Sequence, residues 1–132
     1  MCLKLNSNSK IVVADKDIVC YKVLIKRDNS VVSPYWAFEY KIGETYKIEK
    51  PLEIKKRINY IRCCNVFEVY KGFHSFEQFQ SAKAFLLDTQ RQFRSGYCVY
   101  KCIIPKGTRM IFGDFNGRPS IASEAIKIIE EV

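Results

Sequence analysis

The chain has a single histidine, His74, among 132 residues, and that scarcity removes whole classes of chemistry. One His cannot anchor a conventional metal site, so cysteines would have to supply most ligands, and no C-x-x-C pair occurs. Cys63 and Cys64 are adjacent and, on a strand, point to opposite faces. Cys98 and Cys102 share a face, but on a strand they lie roughly 13 Å apart. No metal site is expected. G-x-S-x-G is missing, as are the phosphate loops G-x-x-x-x-G-K-[ST] and G-x-G-x-x-G. No RNP, KH or zinc-finger pattern occurs. The carboxylates are too scattered for a glycosidase pair, and no cofactor is implied. Glycine and proline are sparse, at six and four residues, which argues against a low-complexity chain or a flexible linker. No apolar run approaches the ~20 residues of a membrane helix, so no membrane partner is expected. Nor does Met1 to Asn6 carry the apolar run of a signal peptide.

Six cysteines are present, an even number that invites a disulfide reading. Without a signal peptide, with Cys63 and Cys64 adjacent, and with most cysteines in strand-like apolar runs, the expectation is free thiols in a reducing, cytoplasmic setting. Hydrophobic residues make up 48% and aromatics 14% of the chain, enough for a true core. The length suits one domain, residues 1–132, with the polar residues 1–10 as a loose arm. A formal net charge of +8 favours a polyanionic partner: nucleic acid, a nucleotide or an acidic protein.

The β-branched and aromatic run Ile18 to Lys26 reads as a strand, with Val31-Val32 pairing back after the Asp28-Asn29-Ser30 turn. Ser33 to Phe38 is aromatic but broken by Pro34, and reads as a loop. Gly43 to Ile48 is a turn into a short strand. Tyr60 to Tyr70 shows little alternation and reads as one or two strands. The period changes at Ser75. Ser75 and Gln78 fit a capping box, and Phe76, Phe79, Ala82, Leu86, Thr89 and Phe93 recur at helical spacing, ending before Ser95-Gly96. Tyr97 to Ile104 is the strongest strand. The Pro105-Lys106-Gly107-Thr108 turn predicts a hairpin back through Phe112, and Asn116-Gly117 is a second turn signal. Ile121 to Ile129 reads as a closing strand, with a short helix as the alternative. The expected fold class is α+β: a mostly antiparallel sheet of about six to eight short strands packed on one main amphipathic helix.

Two surfaces carry candidate chemistry. His74 sits where an apolar run meets the expected helix start, and free amides at such an end favour anions. With Ser75, Lys71 and Lys22 it forms a candidate site for an anionic small molecule or nucleotide. Glu124, between two apolar runs, is the one acid set apart, and reads first as an edge-strand carboxylate. The second surface is the densest basic stretch, residues 47–62, where Lys55, Lys56, Arg57 and Arg62 with neighbouring Tyr46 and Tyr60 could hold phosphates and stack bases. A solvated cationic face is the plainer reading of those charges.

The succession Cys20 to Leu24, Ser33-Pro34-Tyr35, Gly43-x-x-Tyr46, Gly72-Phe73-His74-Ser75, Lys101 to Thr108 and Ile121-Ala122-Ser123 resembles a group of short uncharacterised proteins from gut Bacteroidales and their phages. That resemblance spans nearly the whole chain and implies no activity. Tyr21-Lys22, Gly72 to Ser75 and Pro105 to Thr108, in that order, also bear a fainter similarity to the ADP-ribosyltransferase-like fold. The R-S-E type set and an E-x-E pair are absent, and only Glu124 could stand for the late acid. The functional expectations are therefore a small bacterial or phage binding protein for an anionic ligand, a nucleic-acid or protein interaction module, or an ADP-ribosyl transfer enzyme with His74 and Glu124 in its pocket.

Overall fold

The computed structural model describes residues 3–6, 8–34, 38–59, 61, 64–69, 71–92 and 96–132. Its strands are β1 (Leu3–Leu5), β2 (Val12–Val13), β3 (Ile18–Lys26), β4 (Val31–Val32), β5 (Glu39–Tyr40), β6 (Thr45–Lys47), β7 (Ile54–Asn59), β8 (Cys64–Val69), β9 (Phe73–Phe76), β10 (Tyr97–Ile104), β11 (Arg109–Phe115), β12 (Arg118–Ser123) and β13 (Ala125–Glu131). One helix, α1 (Phe79–Gln92), lies between β9 and β10.

The chain is therefore mostly β: thirteen strands in one antiparallel sheet and a single short helix among the described residues. This corrects the expected α+β arrangement of six to eight strands on a main helix. The undercount has a physical cause. Five strands are only two or three residues long, too short to display a period. A sixth, β7, carries the basic run Lys55-Lys56-Arg57 at the end of the sheet path, where no core imposes an apolar alternation. Residues 3–5, read as part of a loose arm, pair with both β8 and β11.

The main path runs β6-β13-β10-β3-β9-β12-β11-β1-β8-β7. Only Glu124 separates β12 from β13, so the stretch β13-β10-β3-β9-β12 returns to its own start and closes into a ring. Strand alternation then assigns one face of each strand to the interior. Cys20 and Leu24 from β3, Tyr100, Cys102 and Ile104 from β10, Ile121 from β12, and Ile126 and Ile128 from β13 form that core, each at most 1% exposed. A fully buried Ile or Leu contributes roughly 1.5–3 kcal/mol. The opposite face of β3 and β10 receives α1, whose Phe79, Ala82, Phe85 and Leu86 pack on Tyr21, Val23, Phe76 and Val99. A third cluster, Leu3, Leu52, Val69, Ile111 and Ala122, lies under the outer strands.

Three local expectations meet different outcomes. Val31-Val32 pairs with Ile25 and Lys26 as expected. Asn116 (φ 51°) and Gly117 (φ 80°) make the tight turn joining β11 to β12, a conformation their residue types suit. The turn at Pro105–Thr108, by contrast, does not make a hairpin: β10 pairs with β3 and β13, while β11 pairs with β12, β1 and β2. Each strand finds a longer partner elsewhere. Ser75 is likewise not a helix cap. It lies inside β9, 3% exposed, and the helix starts four residues later. Residues 121–129 are strand, divided by Glu124.

Candidate functional site

The break at Glu124 organises a concave site. Glu124 donates its amide to the Arg109 carbonyl, and its own carbonyl accepts from Ile48 N, both at 2.9 Å. Its carboxylate Oε2 sits 3.3 Å from Arg109 Nη1 and 3.3 Å from Leu52 N. The backbone thus turns from β12 into β13 while the side chain holds the segment after β6 in place. Around this joint lies a pocket of about 590 Å³. β6 contributes Thr45 and Lys47, the turn after β10 contributes Pro105, Lys106 and Thr108, and Arg109 and Glu124 complete the polar lining. The turn itself is braced: Lys106 N donates to Asp17 Oδ1 at 2.8 Å and Gly107 N to the Ala14 carbonyl at 2.8 Å. Gly107 has φ +88° and open space around it, so the sharp turn brings the Lys106 backbone to the rim without a side-chain obstacle.

Three cations and one carboxylate line the pocket, and the carboxylate already has a cationic partner. The surplus is positive. Of the residues singled out from sequence for an anion site, Glu124 is here. The others are not. His74 is 8% exposed and lies in β9, directly across from Ala122 of β12. Neither ring nitrogen has a hydrogen-bond partner. Burial, aided by the nearby Lys22 charge, pushes the imidazole down to about 4, while the Lys71 backbone pulls weakly the other way, so the ring is neutral at pH 7. Lys71 is exposed.

Lys22 and Ser75 face the ring interior. β3 and β9 share one ladder pair, Tyr21↔Phe76, and then part. Across that gap Lys22 Nζ donates to the His74 carbonyl, with the Tyr40 ring 5.9 Å from the ammonium. Burial lowers the Lys22 ammonium from its usual range, and the sulfurs of Cys102 and Cys20 oppose that shift. Ser75 Oγ is buried without a partner of good geometry.

On β7, Lys55 and Lys56 are exposed. The Arg57 side chain, and Arg62, Tyr60, Tyr35, Trp36, Tyr70, Phe93, Ser95, Cys2 and Cys63 as a whole, lie outside the described residues. Lys55 stands opposite Glu68, Glu68 opposite Lys4, and Lys4 opposite Asp114, so charges alternate in a row across four strands. No group of three or more His, Cys, Asp or Glu that could hold a metal occurs among the described residues, and no helix there is long and apolar enough to cross a membrane.

Sequence reasoning did not reach Lys106, Arg109 or Thr45. Pro105–Thr108 read only as a turn, and its signal was real. What could not be read was that the turn leaves β10 and faces β6, some sixty residues away in the chain. Comparison of the chain with family models, curated proteins and solved structures finds no match.

Proposed function

We propose that the protein is a small binding module for an anionic ligand, held in the pocket at the Glu124 joint rather than against His74. One observation carries this reading: Lys47, Lys106 and Arg109, from three separate elements, converge on one pocket of about 590 Å³. That volume falls in the range of small-molecule sites. Ile48, Pro105 and Ala125 give an apolar wall, and Thr45 and Thr108 add hydroxyls, so a phosphate or carboxylate joined to a modest apolar body, such as a nucleotide, suits the lining. The carboxylate of Glu124 is engaged by Arg109 and Leu52 N. It is not a free base, which favours binding over catalysis. His74 does not line this pocket, so an ADP-ribosyl transfer reading that needs His74 and Glu124 together finds no support in the arrangement.

The test is a thermal-shift series with inorganic phosphate, AMP, NAD and citrate. A ligand at ten times its Kd should stabilise the fold by about 1.4 kcal/mol. Lys47→Glu with Lys106→Glu should abolish the shift while leaving the unliganded midpoint near its original value. No shift with any of the four, or an equal shift in the double variant, refutes the reading.

A second reading rests on the exposed Lys55 and Lys56 of β7, which pairs with β8 at the end of the sheet path traced by the described residues. It is a nucleic-acid or protein interaction edge. Lysines on such a strand also guard against edge-to-edge pairing, which is the simpler role. Salt-dependent retention on DNA or RNA that falls when Lys55, Lys56 and Arg57 become Glu would favour the interaction reading.

A further inference from the structure

The ring interior holds a second cluster that the anion pocket does not use. Cys20 and Cys102 are direct cross-strand partners in the β3–β10 ladder, and both are 0% exposed. Directly opposed residues in an antiparallel pair have Cα atoms about 4.5 or 5.5 Å apart, and both spacings lie within the range a disulfide spans. The two thiols therefore stand on neighbouring strands of the ring interior, with Ser75 of β9, paired to Ile121, also buried there. Lys22, two residues along β3, brings its ammonium to the same side of the strand.

We propose that Cys20 and Cys102 are a redox pair that a hydroperoxide converts to a reversible cross-strand disulfide. The environment divides the labour between the sulfurs. The neighbouring Cys102 sulfur, the Ser75 hydroxyl and the Lys22 charge lower the Cys20 thiol from its ordinary range, against the effect of its burial. Burial and the neighbouring sulfur hold the Cys102 proton in place. Cys20 is therefore the attacking sulfur. Its thiolate takes one peroxide oxygen, the O–O bond breaks, and the hydroxide released combines with the proton Cys20 has lost to give water. Cys102 then attacks the sulfenic sulfur, the S–O bond breaks, and the second water leaves with the Cys102 proton. Two thiols are oxidised, and one peroxide is reduced to two waters. Both sulfurs are buried, so the reaction follows brief opening of the ring, and a small oxidant is required.

The sequence makes the test clean. Tryptic cleavage places Cys20 in residues 17–22 and Cys102 in residues 102–106, each with no other cysteine. The native protein is treated with hydrogen peroxide, its remaining thiols are alkylated in denaturant, and the peptides are identified by mass spectrometry. The expected product is the cross-linked pair 17–22/102–106, lost on treatment with dithiothreitol, at a yield above that of any other cysteine pairing. Lys22→Met, in which loss of the cleavage site extends the Cys20 peptide to residues 17–26, should form the corresponding cross-link to 102–106 several-fold more slowly without changing the half-time of Cys98 alkylation, which reports that the variant still folds. Full alkylation of both peptides after peroxide, or cross-linking of Cys20 mainly to another cysteine, overturns the proposal. So does a cross-link that forms only in urea.

Discussion

His74 should make the fold sensitive to mild acid. Its imidazole is 8% exposed, has no hydrogen-bond partner, and is pushed down from 6.5 to about 4. In the unfolded chain the same ring titrates near 6.5. Between those values the unfolded state holds a proton that the folded state refuses, so acid favours unfolding. Stability is at its full value above pH 6.5 and is lost as the pH falls through that window towards 4. At about 1.36 kcal/mol per unit, the interval of 6.5 to about 4 corresponds to roughly 3 kcal/mol. Integration to pH 5 already gives about 2 kcal/mol, or a fall of roughly 1 M in the urea midpoint for a typical slope. Urea melts at pH 7, 6 and 5 measure this directly. His74→Leu supplies the control: it removes two unpartnered buried nitrogens, so its stability at pH 7 should equal or exceed that of the natural chain. Its own decline between pH 7 and 5 should be smaller by that same ~2 kcal/mol. Because the chain has one histidine, a single imidazole proton resonance followed against pH reports the site unambiguously. A resonance that titrates near 6.5, or parallel decline of the two proteins, would refute the argument.

Two substitutions probe the elements that place the pocket. Gly72 has φ +93°, and an added Cβ would lie 2.5 Å from Leu52 Cδ2 and 3.0 Å from the Ser123 carbonyl; Gly72→Ala should destabilise by at least about 2 kcal/mol in a urea melt, and a change within about 0.5 kcal/mol would contradict the close approach. Glu124→Ala removes the acceptor of Leu52 N and the partner of Arg109, so it should lower stability by about 1–2 kcal/mol. The same change deletes the pocket's one negative charge, and phosphate should bind roughly threefold tighter by calorimetry, on a Coulomb gain of ~0.7 kcal/mol at ~6 Å in water. Stability lost with affinity unchanged would separate Glu124's structural part from any part in binding.

How far the sequence could be read depended on where the determinants lie. β3 and β10 were legible because most of their positions on both faces are buried or half-buried, so β-branched and aromatic residues accumulate around the single mid-strand lysine of each, Lys22 and Lys101. The helix was legible through Phe79, Ala82 and Leu86, which do form its packed face. Its start was not. Ser75 and Gln78 have the spacing of a capping box, but β9 continues through Phe76 because Ser75 is paired with Ile121 and Phe76 with Ser120. The tertiary ladder outweighs a cap worth about 1 kcal/mol. The missing hairpin at Pro105–Thr108 has the same origin. A tight turn is a local event, whereas the choice of partner is made by eight paired positions along β3 and six along β12. Glu124 could be noticed because it interrupts an apolar stretch, and that interruption is the bend that closes the ring. Its neighbours Lys47, Lys106 and Arg109 come from elements whose meeting only the ring closure decides.

The formal charge of +8 therefore cannot be treated as one footprint. Lys22 lies inside the ring, bonded to a carbonyl and facing two thiols, where no polyanion reaches it. Lys55 belongs to a row of alternating charges that ends on an acidic strand position, Asp114. Lys26 and Arg118 are spent on Glu131 and Asp88, at 3.2 and 2.8 Å. Such surface pairs contribute little to stability but do remove net field from their neighbourhood. Lys47, Lys106 and Arg109, by contrast, are gathered in one place around Glu124. An anion drawn to this protein by its overall charge meets at that joint three cations against one carboxylate. Salt should therefore weaken phosphate binding mainly through Lys47, Lys106 and Arg109, and reversing charges on Glu131 or Asp88 should leave that binding almost unchanged, since such exposed charges act only within about 10 Å at 0.1 M salt.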